Sequence, residues 1–589
     1  MSNRPAPSVQ TTLLGAALLG AALLGAALLV VPASLAVWLS ILRLNPEVAG
    51  LDRVVLGLWV SAYHVLLALP PLLAVLVLMR RRPSTGHVRS LTITAAAIGG
   101  SWAGLNLILR FPSIYGPLNG RHQAFLTWPG LLGAAVSLVL PFALVVLLRR
   151  TERRVAGAFT LMAVLATTVA LLHWEELDPP VDPAVISNVG PFEDPAEGRP
   201  DAMVVIAVDG LSWDVLSAMD GSTPNLDRLW QRAAVGTMNP LLPSRSPAIW
   251  NSIATGRTPE EHGVHLFSTL KPAGMKESIQ RGPSLNFMNW WNGFNRFLTF
   301  AAAHGAVEQH GVRSHARQAP TLWEIADLYG RPASQIAWWN TLPVSVPAAG
   351  GLRLKDLSLR PGTFAPAAIA SQLPRWSGTL DDAKSDLSPN AVQLSRAQDE
   401  LFVDLARRRL TEHPESWTFL YLRSVDTAQH LAWRGDRLLP SRHELHLTDT
   451  VRSTYAWLDR QIGRLLAEVD LSQTLVLVIS DHGFRFDGQQ HHRRPSGVFA
   501  VAGPGVVPGP LARPVEVLDI APTVLRLFGL PVAAQLRGRV LEDAFLPSTL
   551  PEPTFIEAYD WTPRRVSTES SPAADEEELR SLKAVGYVN

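Results

Sequence analysis

The sequence predicts a helical membrane region followed by a three-layer α/β domain with a mostly parallel central sheet. Three observations support this prediction. Apolar residues are concentrated before residue 175, whereas runs of β-branched residues alternate with helical stretches after residue 200. Several of those runs end close to an aspartate, and the carboxyl ends of strands are where ligands bind in open α/β sheets. The 589 residues are sufficient for both parts.

Five segments before residue 175 are long and apolar enough to cross about 30 Å of hydrocarbon as helices. They cover residues 12–42, 54–79, 91–110, 128–148 and 155–173. The first is longer than the apolar core of an ordinary signal peptide, so we expect it to be retained as an anchor. The sequence therefore predicts an integral membrane protein with five transmembrane helices.

Arginine residues in the connecting loops predict the orientation. One group follows the second segment and another follows the fourth, and together they comprise Arg80, Arg81, Arg82, Arg89, Arg149, Arg150, Arg153 and Arg154. The positive-inside rule places these loops in the cytoplasm. The N-terminus is then cytoplasmic, and everything after the fifth segment lies outside the cytoplasm, in a periplasm or at the cell surface.

A linker rich in proline and acidic residues separates the two parts. We predict a membrane domain at residues 1–174, the linker at 175–200, a catalytic domain at 201–548 and a C-terminal tail at 549–589. The chain has no cysteine, so disulfides and thiolate metal ligands are excluded. Its net charge of +1, without a basic patch, argues against nucleic acid as a partner.

The clearest buried strand is the apolar run 474–479, which leads through one serine into Asp481 and His482. Gly483 then allows the backbone to turn sharply. Side chains held in this way at a strand end are typical metal ligands, although either residue also suits a helix cap or a loop hydrogen bond.

Further candidate ligands follow two other apolar runs. Asp209 follows residues 203–208, and Asp426 comes shortly after residues 417–423. His430 lies four residues beyond Asp426, so on a helical turn the two side chains share a face and can hold one ion. The sequence therefore predicts that three strand ends contribute ligands to one place.

The polar loop before the apolar run 497–502 supplies a further imidazole, from either His491 or His492. The complete set of three carboxylates and three imidazoles forms two three-ligand groups, each with a coordination position left for substrate. Imidazole and carboxylate ligands together favour zinc. We therefore predict two divalent ions, most simply Zn²⁺.

Ser246 is the candidate nucleophile. It precedes Pro247, and this pair predicts a helix with serine at the N-cap and proline in the first turn. A helix N-terminus favours bound phosphate and developing negative charge. Ser246 also suits a simple capping role, and Ser244 is a rival nucleophile. Arg245 is a candidate contact for the phosphoryl group, although it also suits a solvated surface position.

The order of these motifs resembles the alkaline phosphatase superfamily, and more narrowly its type I phosphodiesterase and nucleotide pyrophosphatase branch. The similarity covers about residues 200–545 and follows the order Asp209, 223–229, 246–256, 262–263, 321–325, Asp426 with His430, 481–483 and 519–523. The resemblance implies an alkaline-phosphatase-like fold and a hydrolase of the phosphodiesterase or phosphatase type.

The same resemblance implies roles for individual residues. The family places its nucleophile nine residues before the threonine of a Thr-Gly pair, and counting back from Thr255 gives Ser246 rather than Ser244. It implies two ligand sets: Asp426, His430 and His492 for one metal, and Asp209, Asp481 and His482 for the other. The family's spacing favours His492 over His491. A sulfatase is disfavoured because Leu241 stands where its modified residue is needed.

Residues 265–320 interrupt the α/β pattern and include an aromatic cluster at 287–294. We interpret this insertion as a cap, suited to a nucleobase, a lipid head group or a prenyl chain, or to loop packing alone. Two functions remain. One is hydrolysis of a lipid-linked or nucleotide-like phosphate ester through a phosphoserine. The other is lipid head-group transfer, because five spans before such a domain resemble phosphoethanolamine transferases and lipoteichoic acid synthases. Membrane lipids are expected partners in both.

Overall fold

The chain forms two compact units, each built from two stretches of sequence. The first comprises Met1–Leu177 with Leu270–Gln309, and the second comprises Asp178–Thr269 with His310–Asn589. The computed structural model describes residues 38, 41–42, 45, 48–63, 197–219, 221–241, 245–280, 294, 297–298, 300–348, 350–355, 364–365, 389–435, 449–484 and 496–562. The predicted domain boundaries remain predictions.

The second unit is organised around a ten-stranded mixed sheet. Its strands are β1 Ala202–Val208, β2 Ala233–Asn239, β6 Ala333–Ile336, β7 Leu352–Leu354, β8 Phe364–Ala365, β9 Trp417–Leu422, β10 Thr474–Ile479, β11 Gly497–Ala502, β12 Gly509–Pro510 and β13 Val515–Glu516. They lie in the order β12-β2-β11-β10-β1-β9-β6-β7-β8, and β13 also pairs with β2. Two further strands, β14 Val532–Ala533 and β15 Phe555–Ile556, pair with each other. The predicted α/β class is confirmed.

The middle of this sheet is parallel. Strand β1 lies between β10 and β9, and β9 continues through β6 to β7, all in parallel pairs. Antiparallel pairs join β10 to β11, β11 to β2, and β7 to β8. Ala207 is opposite both Ile479 and Tyr421. Because these strands are parallel and in register, their carboxyl ends meet at one edge of the sheet.

Helices cover the sheet. They are α2 Trp213–Ser217, α3 Pro224–Trp230, α4 Ser246–Thr255, α5 Pro259–His262, α6 Leu322–Leu328, α7 Pro389–Glu412, α8 Ser424–Gly435, α9 Asp449–Leu466 and α10 Ile520–Leu527. Short 3-10 helices lie at Ser314–Ala316, Val517–Asp519 and Glu542–Ala544. Every residue of β1, β9, β10 and β11 is buried, so both faces of the sheet are covered, as a three-layer arrangement requires.

Helix α4 begins and ends at residues suited to those positions. Pro247 lies in its first turn, where the missing N–H leaves no hydrogen bond unmade. Gly256 ends the helix at a φ of 65° and donates its N–H to the Ser252 carbonyl. A Cβ at Gly256 would lie 2.8 Å from both Ala521 and Leu536, so only glycine fits here.

The described part of the first unit joins two distant stretches of sequence. Residues 51–63 form helix α1, which shares a hydrophobic core with the insertion at 270–309. Asp52 accepts hydrogen bonds from the backbone N–H groups of Lys276 and Glu277, and Asn45 Oδ1 accepts one from Gln280. A three-stranded sheet is formed by β3 Ser268–Pro272, β4 Ile279–Gln280 and β5 Val307–Gly311.

Within the residues that the structure describes, no helix is both long and apolar enough to cross a membrane. Three of the predicted spans, residues 91–110, 128–148 and 155–173, lie outside the described residues. Of the other two, only residues 38 and 41–42 of the first and 54–63 of the second are described. The predicted membrane topology therefore remains a prediction.

Candidate metal centre

Three strand ends bring carboxylates and imidazoles together in the second unit. Asp209 follows β1 directly, and Asp481 and His482 follow β10 after one serine. Asp426 lies in the first turn of α8, which begins two residues after β9. All four side chains are buried. The predicted convergence of these residues follows from the parallel register of the three strands.

His482 lies at the centre of the cluster. Its Nε2 is 3.1 Å from Asp209 Oδ1, 3.6 Å from Asp481 Oδ2 and 3.9 Å from Asp426 Oδ1. The other oxygen of Asp426 is 3.2 Å from His430 Nε2. Ligand atoms of Asp209, Asp426 and His482 all lie within 4.8 Å of one another, which is close enough to hold one ion.

The orientation of His482 suits a metal ligand. Its Nδ1 lies 2.9 Å from the backbone oxygen of Gly483, which can only accept, so Nδ1 carries the proton. In the neutral ring Nε2 then presents a lone pair to Asp209 Oδ1 at 3.1 Å. Two acceptors at that distance need a proton or a cation between them.

The charge of the cluster also favours cations. With neutral histidines, the buried side chains of Asp209, Asp426 and Asp481 carry three negative charges. Taking such charges out of water is costly unless opposite charge compensates them. Two divalent ions would more than neutralise the three carboxylates, so the residues present fit the predicted metals.

Tyr421, at the end of β9, is also part of this cluster. No sequence motif predicted this role. The Tyr421 hydroxyl donates a hydrogen bond of 2.5 Å to Asp209 Oδ2. The Tyr421 ring packs edge-on against Trp250 and Trp339, with centroid separations of 5.3 and 5.8 Å. This packing fixes the hydroxyl, which in turn orients Asp209 so that Oδ1 faces His482.

Gln429 and Gly210 hold α8 close to the end of β1. Gln429 Nε2 donates to the Gly210 carbonyl at 2.9 Å and to the Tyr455 hydroxyl at 2.8 Å. A Cβ at Gly210, whose φ is 72°, would lie 2.7 Å from Gln429 Oε1 and 3.2 Å from Asp426 Oδ1. Glycine is therefore required where these two segments meet.

Asp399 of α7 fixes the first turn of α8, which carries Asp426. Its Oδ2 accepts the backbone N–H groups of Arg423 at 3.0 Å and Ser424 at 2.8 Å. Burial raises the pKa of Asp399 to about 6, although these hydrogen bonds oppose the shift. The first N–H groups of a helix need acceptors from outside the helix, and Asp399 of α7 provides such an acceptor for α8.

Ser246 is buried in the first turn of α4, and its Oγ has no hydrogen-bond partner among the described residues. The structure corrects one detail: Arg245, with an extended backbone, is the N-cap, so Ser246 is the first helical residue. One turn along α4, Trp250 packs against Tyr421, which binds Asp209. The helix that carries Ser246 is thus linked to the carboxylate cluster. Arg245 is half-buried.

His262 ties α4 to the segment that follows it. Its Nδ1 accepts the Val264 N–H at 3.1 Å, and its Nε2 lies 3.2 Å from the Ala248 carbonyl and 3.0 Å from Ser252 Oγ. The proton therefore sits on Nε2, and burial lowers the pKa of His262 to about 3. A neutral, hydrogen-bonded histidine in this position stabilises the helix rather than binding a metal.

Several predicted residues lie outside the described residues. They are the rival nucleophile Ser244 and both candidates for the last imidazole, His491 and His492. Of the aromatic cluster at 287–294, only Phe294 is described, and it is buried in the core of the first unit. The choice between His491 and His492 therefore remains open.

One known protein family matches the part of the chain that carries this site. Residues 203–491 match the sequence profile of the family described as type I phosphodiesterase / nucleotide pyrophosphatase. This part of the chain is similar to that family. The matched range contains the nucleophile candidate and all of the candidate ligands up to His491, and it indicates a hydrolase of the phosphodiesterase type. No curated protein matches the chain.

Solved structures with a similar fold are distant. Murine ectonucleotide pyrophosphatase/phosphodiesterase 5 is 12% identical, with 58% of this chain and 100% of that chain covered and a TM-score of 0.35. Wild-type alkaline phosphatase PafA is 12% identical, with 60% and 100% covered and a TM-score of 0.38. Phosphonoacetate hydrolase from Sinorhizobium meliloti is 17% identical, with 50% and 60% covered and a TM-score of 0.31. These similarities are too distant to bear on the reaction.

Proposed function

We propose that this chain is a membrane-anchored, metal-dependent phosphoric ester hydrolase that acts outside the cytoplasm through a phosphoserine at Ser246. The observation that carries the proposal is the cluster of three buried carboxylates, the buried His482 and the partly buried His430 at three strand ends. The family match to phosphodiesterases and nucleotide pyrophosphatases supports a phosphate ester as the substrate. We propose a lipid-linked or nucleotide-like ester.

The chain's own residues suit two zinc ions. Asp209, Asp481 and His482 would hold one ion, and Asp426 and His430, with the late histidine, would hold the other. Asp426 has one oxygen toward His430 and the other toward His482, so it lies between the two sets. When bound, such ions neutralise phosphoryl oxygens and favour the ionised form of a nearby hydroxyl.

Ser246 would act as the nucleophile. Its Oγ attacks phosphorus, the Oγ–P bond forms, and the bond from phosphorus to the leaving oxygen breaks; the serine proton ends on the leaving alcohol. Water then cleaves the Oγ–P bond and releases phosphate or a phosphomonoester. The N-terminal end of α4 and its helix dipole favour the negatively charged phosphoryl oxygens.

The membrane part of the proposal rests on sequence. Five apolar segments precede the catalytic unit, and two arginine-rich loops orient them with the N-terminus in the cytoplasm. Because the chain lacks cysteine, one introduced cysteine can report on the side of the membrane. Phe555, which is 69% exposed in the second unit, is a suitable position. Phe555→Cys should react with an impermeant maleimide in intact cells, and reaction only after lysis would contradict the orientation.

The reaction is tested with the purified full chain, supplied with zinc, on a phosphodiester, a phosphomonoester and a sulfate ester. We expect phosphate ester hydrolysis that a chelator abolishes and zinc restores. Ser246→Ala should lower turnover by at least about 1,000-fold. Ser252→Ala, which changes a buried serine of the same helix, is the matched control and should retain activity.

Three outcomes would overturn parts of this proposal. Unchanged turnover in Ser246→Ala would exclude the phosphoserine mechanism. A preference for the sulfate ester would contradict Ser246 as the nucleophile, because a sulfatase needs its modified residue at position 241 instead. Turnover that requires a lipid acceptor, with no release of product into water, would replace hydrolysis by head-group transfer at the same site.

A further inference from the structure

Helix α1 is apolar on two opposite faces. One face contributes Leu56, Val60 and Tyr63 to the core shared with the insertion at 270–309. The opposite face exposes Leu51 and Leu58, with Val54 between them. The exposed fractions of Leu51, Val54 and Leu58 are 69%, 57% and 65%.

These three side chains form one stripe, because positions three and seven residues apart lie on one side of a helix. Ala62, four residues beyond Leu58, is exposed on the same side. A helix on the surface of a water-soluble domain carries polar residues opposite its buried face, whereas a helix that is apolar all round lies in a core or in a membrane. The stripe therefore calls for an apolar surrounding.

The sequence that follows α1 indicates what provides it. Residues 64–79 contain no Asp, Glu, Lys or Arg, and Arg80, Arg81 and Arg82 come immediately after them. Residues 60–79 number twenty, the length that a membrane-spanning helix needs to cross the hydrocarbon layer. Val54 and Leu58 lie within the second predicted span, residues 54–79, and Leu51 lies three residues before it.

An aromatic side chain near the end of α1 is consistent with a position at the boundary between water and the hydrocarbon of the membrane. The Trp59 indole N–H donates to the Ala273 carbonyl at 3.2 Å, and its ring lies 5.9 Å from that of Phe297. The Tyr63 ring lies 5.7 Å from that of Phe294. Trp is enriched where a protein passes from water into hydrocarbon, because it combines an apolar ring with a polar group, whereas the buried Tyr63 belongs to the core of the first unit.

We propose that the stripe of Leu51, Val54 and Leu58 contacts the acyl chains of the membrane, so that α1 is the element that brings the insertion at 270–309 to the lipid surface. The stripe has aliphatic groups only, without the aromatic and arginine anchors that protein interfaces favour. Hydrogen bonds from the insertion to Asp52 of α1, and to Asn45 before the helix, fix the insertion to α1. The inference rests on the membrane anchoring proposed above.

The absence of cysteine makes the test direct. Leu58→Cys in the full chain carries a nitroxide spin label and is reconstituted in vesicles of phosphatidylcholine and phosphatidylglycerol. Collision with oxygen, which concentrates in hydrocarbon, is compared with collision with a water-soluble nickel chelate. Phe555→Cys is the matched control, because Phe555 is as exposed as Leu51 but lies in the second unit.

For Leu58 we expect oxygen collisions to exceed nickel collisions at least about threefold, and for Phe555 the reverse. Nickel access at Leu58 equal to that at Phe555 would overturn the inference, because the stripe would then face water. Exclusion of both reagents would also overturn it, because another part of a protein would then cover the stripe.

Membrane retention and enzyme activity are measured on the same samples. Extraction of the chain by alkaline carbonate would overturn both the anchoring and the lipid contact. Retention with a stripe that faces water would overturn the lipid contact alone. If the collision results are as expected but phosphate esters are not hydrolysed, only the proposed reaction is contradicted. Failure of the lipid contact and failure of the proposed reaction can therefore be distinguished.

Discussion

Gly210→Ala tests the close approach of backbone and ligands at the candidate metal centre. The φ of Gly210 is 72°, and a methyl group there would lie 2.7 Å from Gln429 Oε1 and 3.2 Å from Asp426 Oδ1. Gln429 cannot move away freely, because its Nε2 holds the Gly210 carbonyl and the Tyr455 hydroxyl. The substitution should therefore displace α8 and the Asp426 carboxylate with it.

Gly221→Ala is the matched control. Its φ is 73°, but a methyl group there meets nothing within 4 Å. Both variants place a side chain in the left-handed region, at a cost of about 1–2 kcal/mol in the free energy of unfolding. Gly210→Ala should lose about 1–3 kcal/mol more, because it overpacks the site and disturbs hydrogen bonds.

The two variants are compared by urea titration followed by tryptophan fluorescence, and by zinc competition against a chelator. Gly210→Ala should bind zinc at least about 10-fold more weakly than wild type, as expected when support of a ligand is lost. Gly221→Ala should bind zinc like wild type. Equal stability and equal zinc affinity in the two variants would refute the geometry described for Gly210.

Three further predictions concern other contacts of the site. Tyr421→Phe removes the hydrogen bond to Asp209 but keeps the ring, so zinc affinity should fall about 10–100-fold. The control Tyr559→Phe, remote from the site, should leave zinc affinity unchanged. Equal zinc affinities in the two variants would contradict a role for Tyr421. The pKa of His262 is lowered to about 3, so the stability gained by keeping this ring neutral is complete above pH 6.5 and is lost as the pH falls toward 3. In urea titrations, the loss of unfolding free energy in His262→Gln relative to wild type should therefore shrink by about 1.4 kcal/mol per pH unit below 6.5. A constant difference between the two proteins would show that this histidine is not held neutral. Asp399→Ala leaves two N–H groups at the start of α8 without their acceptor and should lower the free energy of unfolding by about 1–3 kcal/mol. Asp399→Asn keeps an acceptor oxygen and should lower it less. Equal losses in the two variants would exclude the capping role.

The strands that carry the site were predictable from local sequence. The runs predicted at 203–208, 417–423 and 474–479 correspond to β1, β9 and β10 within one residue at each end. A β-branched run that is covered on both faces is a local signal, because every position is apolar. Once these strands are parallel neighbours, the convergence of Asp209, Asp426 and Asp481 requires no further information.

The residues that support the ligands were not predictable in this way. Tyr421 is 212 positions from Asp209, and the chain folds between them before the hydroxyl finds the carboxylate. Asp399 is one of several acidic residues along α7, and nothing in its neighbourhood distinguishes it from a solvated one. Its function depends on where α8 packs, which is a property of the tertiary structure.

Helix α1 shows a different limit of sequence analysis. Hydropathy alone assigned residues 54–63 to a membrane span, and the structure shows that one face of this segment packs against the insertion at 270–309. Protein core and lipid hydrocarbon are both apolar, so an apolar run does not distinguish between them. The exposed fractions of individual side chains are needed to separate the two faces.

The shared core of the first unit limits how the chain can be shortened. A truncation that starts in the linker removes α1 and leaves Leu270, Met275 and Phe294 without the side chains that now cover them. Such a fragment should aggregate even if its catalytic fold is intact. Thr269 and His310 lie close together, with Thr269 Oγ1 3.5 Å from the His310 carbonyl. A soluble enzyme is therefore best obtained by removing the N-terminal region together with 270–309 and joining the two ends by a short turn.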